Sequence, residues 1–218
     1  MLVLALDTSS AAVTVALVEV PEQGVASTVQ ARSTITARGH GELLAPLIGE
    51  CLAAAGLPPA AVGAVVAGTG PGPFTGLRVG LVTAAAFADA LAVPAYGVCS
   101  LDGMAYASDD ALLVAADARR KELYWATYLH GVRTNGPDVA KPADVPSADC
   151  VVMTGAGARQ YAEVLGLPLL DVDHPDPVRL VDRALDRIRE HAAGELLIPL
   201  YLRRPDAVPP AAPKAVSQ

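Results

Sequence analysis

The feature that most constrains the fold is a unit of strand, aspartate-led turn and strand that occurs twice in the chain. The first copy spans residues 2–18 around Asp7, and the second spans residues 112–129 around Asp117. In each copy an apolar, partly β-branched run stops at the aspartate and resumes a few residues later, which is typical of a hairpin. The repetition predicts two related lobes.

Helices and further strands follow the first hairpin. Apolar side chains recur at helical spacing over 40–55 and 77–91, and compact apolar runs typical of strands cover 62–67 and 95–98. The remaining expected elements are a strand within 25–35, a strand at 151–154, a short helix at 159–165 and an amphipathic helix at 177–193.

This order predicts an α/β protein of two RNase H-like lobes, β-β-β-α-β-α repeated, as in the actin, hexokinase and acetate-kinase (ASKHA) superfamily. The predicted domains are an N-terminal lobe with two helices available for dimerisation (1–100), a degenerate C-terminal lobe (101–207) and a flexible, proline-rich tail (208–218).

Composition narrows the class of protein. Of 218 residues 52% are hydrophobic, which is enough to bury a core, and the net charge of −7 argues against unaided binding to nucleic acid. Three scattered cysteines indicate a reducing, cytoplasmic setting. We expect no signal peptide and no membrane span, and the spacing of the four histidines predicts no metal site.

The first turn has the residue types of a phosphate site. In the superfamily's arrangement, an aspartate at the end of the first strand faces a metal-bound phosphate whose oxygens backbone amides hold. The alternative is a plain Asx or Ser/Thr turn that closes the hairpin. The second hairpin, residues 117–120, has no hydroxyl or glycine at the matching place, so we interpret the site as degenerate. The candidate residues are Asp7, Thr8, Ser9 and Ser10.

A glycine-rich loop, residues 68–76, connects a strand to the second helix. It lacks the GxxxxGK[ST] pattern of a P-loop, and Pro71 and Pro73 remove two amide donors. We interpret the loop as a rigid turn, with Thr75 capping the helix.

Both long helices contain a row of small residues at every fourth position. In the first helix the row runs from Gly41 to Ala53, and in the second it runs from Gly76 to Ala88. Such rows allow close backbone approach, either within one lobe or across an interface of about 1,600 Å². If the rows are external, Gly80→Leu should weaken association and leave the fold intact.

Five strings give the chain a close resemblance to the TsaB (YeaZ) family over residues 1 to about 207. They are LALDTSS at 4–10, the H-x-E-x-L-x-P-L-I pattern at 40–48, GTGPGPFTGLRVG at 68–80, DARRKELYWA at 117–126 and PLYLRRPDA at 199–207. One departure is Gly41, where related sequences often have serine.

The resemblance implies a non-catalytic subunit that binds and activates TsaD, a threonylcarbamoyltransferase, with TsaE, an ATPase, at or near the heterodimer. The product is N6-threonylcarbamoyladenosine at position 37 of tRNAs reading ANN codons. The resemblance implies no cofactor and no catalytic residue in this subunit, and tRNA contact only through the complex. It also favours the external interpretation of the two rows.

The predicted partner interface combines motif positions with the small-residue rows. The resemblance supplies His40, Glu42, Pro46, Gly49, Phe74, Thr75, Gly76, Arg78 and Gly80, and the helix pattern adds Ala45, Ala53, Ala84 and Phe87. Two alternatives stay open: a stand-alone phosphotransferase or peptidase that uses Asp7, and a homodimer formed through the same helices when the partner is absent.

Overall fold

The computed structural model describes residues 1–36 and 39–203, and the predicted tail at 208–218 lies outside them. The first sheet has the order β3-β2-β1-β4-β5, in which β1 pairs antiparallel with β2 and parallel with β4. This is the RNase H-like arrangement expected from the sequence. Its strands are β1 (Leu2–Asp7), β2 (Ala12–Glu19), β3 (Ser27–Ile35), β4 (Val62–Gly68) and β5 (Ala95–Val98).

The second sheet repeats the first four positions in the order β8-β7-β6-β9. Its strands are β6 (Leu112–Asp117), β7 (Leu123–Leu129), β8 (Val132–Ala140) and β9 (Val152–Thr154). The sequence did not locate β8, because this edge strand is mostly exposed and contains Gly136 and Pro137, which break the strand pattern.

Two long helices cover one face of the first sheet. They are α1 (His40–Ala55) and α2 (Phe74–Leu91), whose apolar faces pack on alternate strand positions such as Leu4 and Leu6. The intervening positions, Val3 and Ala5, point to the opposite face because side chains alternate along a strand. Both faces of this sheet are therefore buried.

The opposite face is covered by a helix from the other half of the chain. Helix α5 (Pro177–Arg189) packs Leu180, Val181, Ala184 and Ile188 there, so its predicted amphipathic character is confirmed. It ends four residues before the predicted Ala193. The first sheet is therefore covered by helices from both sides of residue 100, the predicted domain boundary.

The second sheet has much shorter helical cover. The predicted helix at 159–165 is two one-turn helices, α3 (Ala156–Gln160) and α4 (Ala162–Leu165), which pack on one face. A 3-10 segment, Ser100–Ala107, packs on the other face. Shorter 3-10 segments lie at Pro59–Ala61 and Pro142–Asp144.

Helix α2 begins three residues earlier than the sequence indicated. Its N-cap is Pro73, with no side-chain capping bond, and Thr75 lies inside the first turn. The prediction that Thr75 caps this helix is therefore wrong. The φ of −59° at Pro73 matches the value that the proline ring imposes.

After α5 the chain returns to the first sheet as an extended segment, residues 194–203, which we call the C-terminal strap. Glu195 N donates to Ala95 O (2.8 Å), and Leu200 N donates to Thr69 O (2.8 Å). Leu197 packs against the core beneath α1 and α2. The strap thus borders β5 and ends beside the glycine-rich loop.

A candidate docking surface beside a buried aspartate turn

Asp7, at the end of β1, is 1% exposed and fully hydrogen-bonded within the chain. Its Oδ1 accepts from Ser9 N (2.8 Å) and Ser9 Oγ (2.7 Å), and its Oδ2 accepts from Ser100 Oγ (2.5 Å). Burial raises the pKa of Asp7, against the opposing effect of these hydrogen bonds. The carboxylate therefore forms an Asx turn and ties it to Ser100, a partner that no sequence motif signalled.

The glycine-rich loop fills the space over this turn. A Cβ at Gly72 would overlap Ser9 O, and a Cβ at Gly68 would overlap Asp7 Oδ2. Gly70 N donates to Ser100 Oγ (2.9 Å), which fixes the loop to the same network. The glycine-rich loop thus packs directly on Asp7 and Ser9.

The second hairpin turn has a different construction. Asp117 Oδ1 accepts from Arg119 N (2.8 Å), and Arg119, Arg120 and Lys121 all have positive φ, at 61°, 54° and 62°. The left-handed backbone conformation is unfavourable for residues other than glycine, so this tight turn stores strain. The Asp117 side chain is 28% exposed, in contrast to the buried Asp7.

A cavity of about 630 Å³ lies between the two hairpin turns. Its lining includes Ser10, His40 and Thr75 from the first half of the chain, and Arg119 and His174 from the second. His40 Nε2 donates to Ser10 O (2.8 Å), so this predicted interface residue ties the start of α1 to the first turn. Burial lowers the pKa of His174.

Helix α1 presents its small-residue row to solvent. Ala45, Gly49 and Ala53 are exposed, and a Cβ at Gly49 would meet nothing within 4 Å. The apolar side chains one step away, such as Leu44 and Ile48, are buried. Glu42 and Pro46, two further predicted interface residues, are exposed on the outer face as well.

Helix α2, in contrast, buries the middle of its small-residue row. Gly80 and Ala84 are buried, and a Cβ at Gly80 would overlap Thr8 Oγ1. The prediction that these two residues lie on an outer surface is wrong, because they let α2 pack closely on β1. Gly76 is half-buried, with its carbonyl accepting from Thr8 Oγ1 (2.8 Å), and Phe87 packs partly into the core.

The solvent-facing side of α2 is a different set of residues. Phe74, Thr75 and Arg78, three of the predicted interface residues, are exposed, and Val82 is 67% exposed. Ala85 and Ala86, which are not among the predicted interface residues, extend this apolar face. We call the exposed side of both helices the α1/α2 surface; it comprises Gly41, Glu42, Ala45, Pro46, Gly49, Ala53, Phe74, Thr75, Arg78, Val82, Ala85 and Ala86.

In the part of the chain that the structure describes, α2 is the one helix that is long and apolar enough to span a membrane. Five of its 18 residues are buried, and they pack against the first sheet. Over residues 1–36 and 39–203, no group of three or more His, Cys, Asp or Glu side chains is placed to hold a metal ion.

These features define a class of protein: a two-lobed, RNase H-like chain whose first turn is packed against its own glycine-rich loop and which presents an apolar helix pair. Comparisons with known proteins agree. The sequence profile of the family described as TsaD, tRNA N6-adenosine threonylcarbamoyltransferase, matches residues 26–150. An uncharacterised protein of Mycobacterium tuberculosis is 45% identical over 207 residues, covering 95% of this chain and 94% of that protein.

Relatives whose names state a function identify the family more closely. The tRNA threonylcarbamoyladenosine biosynthesis protein TsaB of Haemophilus influenzae is 34% identical over 224 residues, covering 92% of each chain. The crystal structure of YeaZ from Pseudomonas aeruginosa superposes with a TM-score of 0.75 at 29% identity, covering 92% of this chain and 99% of that one. The chain belongs to the TsaB (YeaZ) family, whose named members serve in tRNA threonylcarbamoyladenosine biosynthesis.

Proposed function

We propose that this chain is a cytoplasmic, non-catalytic subunit that binds and activates a TsaD-like threonylcarbamoyltransferase. The complex forms N6-threonylcarbamoyladenosine at adenosine 37 of tRNAs reading ANN codons. The observation that carries the proposal is the α1/α2 surface, which presents alanine, glycine, valine and phenylalanine to solvent on two adjacent helices. Contiguous apolar surface of this kind marks an interaction site.

The partner's nature follows from the family profile. The match of residues 26–150 to the TsaD profile supports a partner that is related in sequence to this chain, and we propose that it offers a comparable helix pair. Two such helix pairs can pack face to face, and small residues such as Ala45 and Gly49 allow the backbones to approach closely. An interface of about 1,600 Å² is the usual size for a specific complex.

The geometry of the first turn favours a non-catalytic subunit over a phosphotransferase or peptidase that uses Asp7. Both carboxylate oxygens of Asp7 already accept hydrogen bonds, and the Gly68–Gly72 loop lies against Ser9. A nucleophile or metal ligand needs an accessible oxygen, which this arrangement does not offer. The threonylcarbamoyl-adenylate, its metal and the transfer chemistry are therefore assigned to the partner.

The remaining components are assigned by charge and by family. TsaE-like ATPase joins at or near the heterodimer. With a net charge of −7, this subunit contacts tRNA only through the complex. When the partner is absent, the α1/α2 surface pairs with a second copy, giving a homodimer whose population rises with concentration.

The test is titration calorimetry of the full chain with the TsaD-like subunit from the same genome. Ala45→Arg should abolish binding, because it places a long cation on the exposed face of α1. The matched control is Ala143→Arg, an exposed alanine beside the second sheet, which should bind like wild type. Equal binding by the Ala45 variant and wild type would overturn the proposal.

A second measurement addresses the enzyme alternative directly. The isolated chain is titrated with ATP and magnesium, alongside Asp7→Asn. Tight binding that the substitution removes would favour a phosphotransferase. Depletion of the gene should lower the modified nucleoside in bulk tRNA, and an unchanged level would contradict the assigned pathway.

A further inference from the structure

The string at residues 199–207 marks the family resemblance, yet the proposed docking of two helix pairs gives it no role. The structure places its first part on α2. The strap is held to the glycine-rich loop by the Leu200 N to Thr69 O hydrogen bond, and the next residue, Tyr201, lies on the first turn of α2.

Tyr201 forms a three-residue cluster with Phe74 and Arg78, which we call the aromatic–guanidinium cluster. The Phe74 and Tyr201 rings stack with centroids 5.1 Å apart and planes inclined by 22°. Arg78 Cζ lies 3.8 Å from the Phe74 centroid, and Arg78 Nε donates to Tyr201 Oη (2.8 Å). Each side chain restricts the other two, so the cluster is ordered before any partner arrives.

The cluster is nevertheless open to solvent. Phe74 is 42% exposed, Tyr201 is 38% exposed, and Arg78 is exposed as well. Within residues 1–36 and 39–203, Arg78 is absent from the ion pairs of the chain. A cation fixed against an aromatic ring is therefore presented to solvent.

The cluster is also continuous with the α1/α2 surface. Phe74, Arg78 and Val82 are spaced four residues apart on α2 and are all exposed, so they line one face of the helix. Tyr201 widens that face at its N-terminal end. Arginine and tyrosine in a preordered patch are the residue types that most often dominate binding energy at protein interfaces.

We propose that the aromatic–guanidinium cluster is the charged end of the docking surface and binds an acidic segment of the TsaD-like partner through a carboxylate on Arg78. This inference rests on the proposed function and deepens it, because it assigns the C-terminal strap to the interface. The apolar middle of the α1/α2 surface stabilises the complex by burying apolar area. The cluster sets the orientation of the two subunits, since charge complementarity fixes how two surfaces align.

The experiment measures the Kd of the full chain with the TsaD-like subunit at low and high salt. Tyr201→Ala should weaken binding about 10-fold or more, because it removes the ring that stacks on Phe74 and the hydroxyl that holds Arg78. Arg78→Gln should weaken it and flatten the salt dependence, because it removes the cation that salt screens. Tyr201→Phe keeps the stack and loses only the hydroxyl, so its effect should be about 2-fold.

The matched control is Tyr106→Ala. Tyr106 is also 42% exposed and lies 4.8 Å from the Arg179 guanidinium, but it is remote in sequence from α2 and the strap. This variant should bind like wild type. Thermal unfolding of every variant, checked before titration, separates loss of the cluster from loss of the fold.

The outcomes distinguish the two proposals. If Ala45→Arg abolishes binding while Tyr201→Ala and Arg78→Gln match wild type, the cluster assignment is overturned and the proposed function stands. If the wild-type chain does not bind the TsaD-like subunit, both are overturned. If Tyr201→Ala fails to fold, Arg78→Gln and Tyr201→Phe decide, and wild-type affinity with unchanged salt dependence in both overturns the cluster.

Discussion

The small-residue rows of α1 and α2 have the same sequence pattern and opposite environments. Along α1, Gly49 faces open space, whereas along α2 the corresponding Gly80 lies directly on Thr8 of the first turn. The difference arises beneath the helices. Helix α1 packs on the sheet through leucine and isoleucine side chains, whereas α2 has a glycine at the point where it meets Thr8, just after β1. A row of small residues therefore indicates close approach, but not to which neighbour.

The largest expected effect comes from filling the buried row. Gly80→Leu should lower the free energy of unfolding by about 3 kcal/mol or more, because the new side chain has no space between α2 and Thr8. Chemical denaturation of the isolated chain measures this. The result expected from an external row, normal stability with weakened association, would restore the original interpretation of α2.

A double-mutant cycle sharpens the same point. Gly80→Ala alone should cost about 1–3 kcal/mol, since its Cβ would overlap Thr8 Oγ1. In the Thr8→Ala background the hydroxyl is gone, so the added cost should be smaller by about 1 kcal/mol or more. Strictly additive changes in the free energy of unfolding would show that the two residues do not oppose each other.

The smallest effect is expected on α1 and has the opposite sign. Gly49→Ala should raise the free energy of unfolding by about 0.5–1 kcal/mol, because alanine favours a helix interior and its methyl group meets no neighbour. Thermal unfolding of the isolated chain detects this gain. A loss of stability would mean that Gly49 is packed against the chain, as Gly80 is.

The two hairpin turns repeat this lesson for the candidate site. The sequence correctly indicated that the second turn is not a copy of the first, since residues 118–121 lack hydroxyls and glycine. The sequence did not indicate that the glycine-rich loop covers the first turn. That depends on Gly72 lying on Ser9 and on Ser100, which is 93 residues away from Asp7 in the chain, completing the carboxylate's hydrogen bonds.

The missed strand and the shortened helices have physical reasons. β8 is an edge strand with few buried side chains, so it has little of the alternation by which strands are recognised. The helices on the second sheet are single turns, too short to show a helical period. In contrast, β1, β2, α1 and α2 are long and half-buried or fully buried, and their patterns were clear.

By itself, the sequence determined the repeated hairpins, the long helices, the two-lobed fold class and the family, because periodic burial and short motifs are local properties of the chain. Only the tertiary structure decided which small-residue row is external and that α5 covers the second face of the first sheet. It also decided that the strap borders β5 and brings Tyr201 to Phe74 and Arg78. Those facts depend on which distant segments meet, and residues that far apart leave no periodic signal along the chain.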